Sequence, residues 1–166
     1  MERYDYEYER NGVQNLFMMC EPLSGWRQVA MTQRRSKRDY AQQMKDLVDV
    51  HFPDAVWITI VHDQLNTHDP SALYETFEPQ EAKRILDKLD IHYTPKHGSW
   101  LNLAEIELSV LARQCLDRRL PDADPLKQEV AAWQARRNQQ SRQIEWQFTT
   151  EDARIKFKRL SPSILS

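Results

Sequence analysis

Two carboxylates in this chain stand where one element ends and another begins. The apolar run Val56-Trp-Ile-Thr-Ile-Val61 has the length of a strand and delivers His62 and Asp63 at its end. Farther on, Ile91–Thr94 reads as a short strand, Pro95 and Gly98 break the following loop, and the next helix carries Glu105 in its first turn. An aspartate at the C-terminal end of a buried strand lies where open α/β sheets place their ligands. Brought together with an acid from a helix start, it offers the hard oxygen donors that suit Mg²⁺. Each residue also has an ordinary use. An aspartate in a turn bonds nearby backbone N–H groups, and an acid in a first helical turn is favoured by the helix dipole. Histidine pairs occur at His62 with His68 and at His92 with His97. Neither pair has a third ligand at recognisable zinc spacing, and carboxylate neighbours suit Mg²⁺ better.

The elements that must position these residues follow an α/β order. Residues 1–10 alternate tyrosine with charge, an extended or edge-strand pattern. Val13–Cys20 and Trp26–Met31 flank the turn Glu21-Pro-Leu-Ser-Gly25 and predict an antiparallel hairpin. Ser36 is placed to cap a helix reaching about Val50, with Tyr40, Met44, Leu47 and Val48 as its buried stripe. Val56–Val61 shows no polar alternation beyond Thr59, which predicts a central strand covered on both faces. Pro70–Phe77 and Pro79–Leu89 each begin with proline in a first helical turn. A helix over Asn102–Leu116 carries Glu105, whose flanking stripe is Ala104, Leu108, Leu111 and Cys115. Pro121 and Pro125 mark a boundary. Beyond them Leu126–Gln139 reads as a polar helix with apolar contacts Val130 and Trp133, and Thr149 with Asp152 resembles a capping box. The organisation predicted is a core over residues 1–120 and a helical appendage over 121–166 that docks through Trp133, Trp146 and Phe148.

Composition narrows the class. With 166 residues, 40% of them hydrophobic and 10% aromatic, the chain can bury a core and is not disordered as a whole. No apolar stretch approaches the roughly 20 residues of a membrane helix, and the start Met-Glu-Arg-Tyr-Asp lacks a signal peptide's apolar region. Cys20 and Cys115 are isolated, so the expectation is a cytoplasmic protein with free thiols. Net charge is −2 overall, but residues 1–110 hold 12 Lys+Arg against 18 Asp+Glu, while residues 111–166 hold 11 against 7. The basic end, concentrated in Arg154, Lys156, Lys158 and Arg159, suits phosphate contact.

Two segments resemble the catalytic motifs of bacterial insertion-sequence transposases of the mariner superfamily, the Asp-Asp-Glu type. Val61-His-Asp63-Gln-Leu-Asn-Thr-His68 resembles the second-aspartate motif, and Gly98-Ser-Trp-Leu-Asn102-Leu-Ala-Glu105 resembles the third. Leu73–Phe77, His92–His97 and Leu111–Arg119 also look familial. The resemblance spans nearly the whole chain and is densest over 56–120. It implies a ribonuclease-H-like mixed sheet flanked by helices, and DNA cleavage and strand transfer with Mg²⁺ or Mn²⁺. Asp63 and Glu105 would be catalytic metal ligands, with Asn102 and His68 supporting them. His68 would orient loop or substrate, or else cap the helix at Pro70. Gln64 replaces the family's usual asparagine. The family's first aspartate lies ahead of the region matching residues 1–20, and none of Asp5, Glu7 or Glu9 sits on an apolar strand. The resemblance therefore implies an N-terminally truncated core that binds metal weakly and is inactive alone. Its partners would be the element's DNA ends, a second copy, or an upstream transposase fragment. The other reading is a non-catalytic regulator that binds DNA or full-length transposase.

Overall fold

Among the described residues a hairpin comes first, and Gly25 supplies the positive φ (76°) its turn requires. Gly25 N–H donates to the Glu21 carbonyl at 3.0 Å, and Ser24 N–H to the Glu21 carboxylate at 3.1 Å. Strands β1 (Asn15–Glu21) and β2 (Trp26–Thr32) then pair antiparallel, with Phe17 opposite Ala30 and Met18 opposite Val29. The structure, a computed structural model, describes residues 14–63, 66–94, 103–117, 123–140 and 151–152. The tyrosine-rich start, Trp146, Phe148 and Thr149 lie outside the described residues.

Helix α1 (Lys37–Asp46) starts at the expected Ser36. Its hydroxyl accepts from Asp39 N–H while the Asp39 side chain accepts from Ser36 N–H, a reciprocal capping box. A π-helical turn, Leu47–His51, continues it. After β3 (Ile58–His62) come α2 (Ser71–Thr76) and α3 (Pro79–Leu86), then β4 (Leu89–Tyr93), which pairs parallel to β3 with Ile60 opposite Ile91. Helix α4 (Leu103–Leu111) ends in a second π turn, Ala112–Leu116, and α5 (Ala123–Gln139) follows. Pro125 sits in the first turn of α5, where its missing N–H costs no helical bond.

Two apolar clusters divide the core between the faces of the hairpin. Phe17 points to one face and joins Tyr40, Met44, Val48, Leu73 and Ile85 from the helices, with Ile58 and Ile60 of β3 at its margin. Leu16, Met18, Val29 and Met31 serve the other face, against Leu111, Cys115, Val130 and Trp133 of α4 and α5. Strand alternation produces this division, since neighbouring residues of β1 point to opposite sides. Full burial of a side chain such as Leu73 or Ile85 stabilises the fold by about 1.5–3 kcal/mol.

The doubly covered sheet is thus the hairpin and not the Val56–Val61 segment. Among the described residues β3 bonds only to β4, β1 bonds only to β2, and the two sheets are separate. The expected single mixed sheet with Val56–Val61 at its centre is therefore corrected. Ile58 and Ile60 face the core, but Val56, Trp57 and Val61 are 78%, 70% and 59% exposed. The reason is that, among the described residues, α4 and α5 pack on β1 and β2 and not on the outer face of β3. The mixed α/β class itself holds.

Helix α5 also closes the outer edge of β2. Arg27 N–H donates to Asn138 Oδ1 and Asn138 Nδ2 donates to the Arg27 carbonyl, each at 2.8 Å. Val29 N–H donates to Gln134 Oε1 at 2.6 Å. Two side-chain amides thereby meet backbone groups that an edge strand otherwise leaves open. Beneath them Glu107 accepts from Arg27 Nε at 2.6 Å and from Arg137 Nη2 at 2.9 Å, with Arg27 only 1% exposed. Burial alone would raise the Glu107 carboxyl's proton affinity. The hydrogen bonds from the two guanidinium groups outweigh that and hold its pKa below the ordinary range.

Candidate active site

The parallel pair β3–β4 delivers its residues to one end, and Thr94 N–H closes that end on the His62 carbonyl at 2.9 Å. Asp63 is the next residue. Its Oδ1 lies 2.6 Å from His68 Nδ1, so the loop after β3 folds back and sets an imidazole against the carboxylate. The Asp63 side chain keeps about a third of its surface open, whereas His68 is largely covered. That burial pulls the His68 pKa below the ordinary histidine range, against the opposing pull of Asp63. A neutral imidazole donating Nδ1–H to the carboxylate fits both observations.

Aromatic rings immobilise this corner. Tyr40 of α1 stacks on His68 with ring centres 5.0 Å apart, and Tyr93 of β4 meets His62 edge-on at 4.7 Å. Phe17 of β1 approaches His68 at 6.2 Å. His62 Nδ1 donates to the Asp63 carbonyl at 2.8 Å, which leaves Nε2 to accept from the Tyr40 hydroxyl at 3.3 Å. Burial raises the Tyr40 phenol above its ordinary pKa, so it remains a donor at neutral pH.

The structure also separates two roles that the sequence offered for His68. Helix α2 has no side-chain cap from His68; Asp69 Oδ1 instead accepts from Ser71 N–H at 2.7 Å. Of the other residues singled out, Glu105 is half-buried in the first turn of α4, as expected of its position. Asn102, Gln64, Arg154, Lys156, Lys158 and Arg159 lie outside the described residues.

His62, Asp63 and His68 each offer one ligand atom within 4.8 Å of the others, a cluster that Glu105 does not join among the described residues. Sequence reasoning set the two histidines aside for want of a third ligand. The third was the intervening Asp63, adjacent to one histidine in sequence and reached by the other only through the fold of the loop. The oxygen donors of Asp63 and Glu105 fit Mg²⁺ in chemical type, while the two imidazoles add nitrogen donors that Mg²⁺ seldom takes.

Among the described residues no helix is long and apolar enough to cross a membrane. No curated protein and no solved structure matches the chain. A family model does: that of the DDE superfamily endonuclease, over residues 1–127, which takes in both sheets, the Asp63 corner and α4. With more than half of its length matched, the chain belongs to the DDE superfamily endonuclease family.

Proposed function

We propose that this chain is the catalytic portion of a bacterial insertion-sequence transposase of the mariner superfamily, acting on the DNA ends of its element. The observation that carries this reading is the Asp63 carboxylate, set at the C-terminal end of a parallel strand and held by His68 at 2.6 Å within the family-matched region. Asp63 and Glu105 are the metal ligands in this reading, with Mg²⁺ or Mn²⁺ as the ion. These two carboxylates would hold the divalent metal, which when bound would supply charge stabilisation to the oxygens of a phosphodiester displacement. The protein's part is to orient. His68 fixes the Asp63 carboxylate through Oδ1, which would leave the second oxygen for the ion, and Asn102 is assigned a supporting role from its family-like position three residues ahead of Glu105. Both acidic segments have a link to β1: α4 packs on it, and Phe17 of β1 lies 6.2 Å from the ring of His68, the partner of Asp63.

Residues 1–120 form the core in this proposal, and 121–166 a basic appendage whose Arg154, Lys156, Lys158 and Arg159 contact DNA phosphates. The protein works in the cytoplasm beside its DNA. In this reading Asp63 and Glu105 are two of the family's three carboxylates, so the 166-residue chain tested by itself should bind Mg²⁺ weakly and fail to nick DNA. Joining them to a strand that carries the first aspartate should restore metal-dependent cleavage of element-end DNA. Asp63→Ala or Glu105→Ala should abolish it again, because the charge developing on the phosphate loses its stabilisation. Full cleavage by the joined Asp63→Ala variant would overturn the assignment. DNA binding without cleavage in the joined protein would favour the regulatory reading.

A further inference from the structure

We infer that His62, Asp63 and His68 form a binding site for a borderline divalent transition cation of the Zn²⁺ type, distinct in chemistry from a carboxylate site for Mg²⁺. Their ligand atoms already lie within 4.8 Å of one another, in a corner assembled from the end of β3 and the loop that follows it. Two imidazole nitrogens and one carboxylate oxygen are a set that zinc accepts with a water completing the tetrahedron, whereas Mg²⁺ prefers oxygen alone.

The surroundings match what such a cation needs. Metal-bound histidines generally donate their other ring N–H to a carbonyl or carboxylate, which fixes the tautomer. His62 does so, with Nδ1 on the Asp63 carbonyl at 2.8 Å, and presents Nε2. The Tyr40 hydroxyl contact to that Nε2 is long, 3.3 Å, and is readily exchanged for a cation. At His68 the cation displaces the Nδ1 proton to solvent, and Nδ1 and Asp63 Oδ1, now 2.6 Å apart, open to the roughly 3.3 Å that tetrahedral ligation requires. Tyr40 and Tyr93 packed at 5.0 and 4.7 Å restrain both rings, so little ordering remains for binding to supply. Neither cysteine belongs to the cluster, and burial pushes the Cys20 thiol up to about 11, away from the thiolate that metals bind.

The site shares Asp63 with the proposed nuclease reading but not Glu105, and this separates the two in experiment. Titration of the full chain with Zn²⁺ by calorimetry should show one saturable site that millimolar Mg²⁺ does not displace. Co²⁺ should give visible ligand-field bands without thiolate charge transfer. His62→Ala and His68→Ala should each weaken Zn²⁺ binding by at least about 100-fold, since loss of a supporting partner alone costs 10–100-fold. His92→Ala and Glu105→Ala should leave it unchanged, even where Glu105→Ala abolishes cleavage. Absence of saturable Zn²⁺ binding, or unchanged affinity in folded His62→Ala and His68→Ala proteins, would overturn the inference. If those variants do not fold, the cobalt spectrum of the natural sequence decides: nitrogen and oxygen ligation supports the site, and thiolate bands refute it.

Discussion

Glu105 and Glu107 lie two residues apart on α4, and the structure gives them opposite consequences on substitution. Glu107 accepts four hydrogen bonds from Arg27 and Arg137 at 2.6–3.1 Å, in a place where Arg27 is 1% exposed. Glu107→Ala leaves a buried guanidinium without its counter-charge, a change that costs about 3–5 kcal/mol. At about 2–4 °C per kcal/mol for a chain of this size, Tm should fall by roughly 6–20 °C. Glu105→Ala removes a half-buried acid from a first helical turn and should change stability by no more than about 0.5 kcal/mol. Thermal melts by circular dichroism measure both. Acid titration adds a signed check. The folded Glu107 pKa lies below its ordinary 4.5, so its stabilisation is complete above that pH and is lost as pH falls through the folded value. The natural sequence should therefore lose stability more steeply in acid than Glu107→Ala does. A Glu107→Ala protein melting within about 2 °C of the natural one would refute the idea that this ion cluster holds α4, α5 and β2 together.

Other tests reach different parts of the molecule. Trp133→Ala should cost about 3–5 kcal/mol in urea denaturation, because the side chain is 2% exposed and its Nε1 donates to Gln114 at 2.9 Å. Cys20, pushed up from 9.0 to about 11 by burial and then by the Glu107 charge, should react with iodoacetamide about 100-fold more slowly at pH 8 than an ordinary thiol. An ordinary rate there would contradict its placement against the helices. Changing Arg154 and Lys156 to alanine should weaken DNA binding across all sequences and lower the salt slope by about 0.9 for each phosphate no longer neutralised, as filter binding at several salt concentrations would show.

Local chemistry determined a large part of this fold. The Glu21–Gly25 turn, the Ser36 cap and the helix starts at Pro70 and Pro79 appear within a residue or two of where their residue types predicted. Val130 and Trp133 are buried, as expected of the apolar contacts of an otherwise polar helix. These features depend on groups within a few positions of one another, where backbone sterics and short-range bonds dominate. The coverage of Val56–Val61 was not legible in the same way. An uninterrupted apolar run states what a strand prefers, but the helices that would cover it bind elsewhere, and only the packing of α4 and α5 on the hairpin revealed that. Glu107 gave no signal in sequence because its partner Arg27 is 80 positions away and its charge looks like any solvated helix residue. Nor could the amides Gln134 and Asn138 be told from surface residues before β2 was placed beside them. His68 is the intermediate case. Its family-like position marked it as a supporting residue, but its bond to Asp63 joins residues five positions apart and depends on the path of the chain after β3. Sequence thus determined the elements, whose energies are local. Tertiary structure decided which charges and rings meet, because those contacts exist only after distant segments share a water-free space.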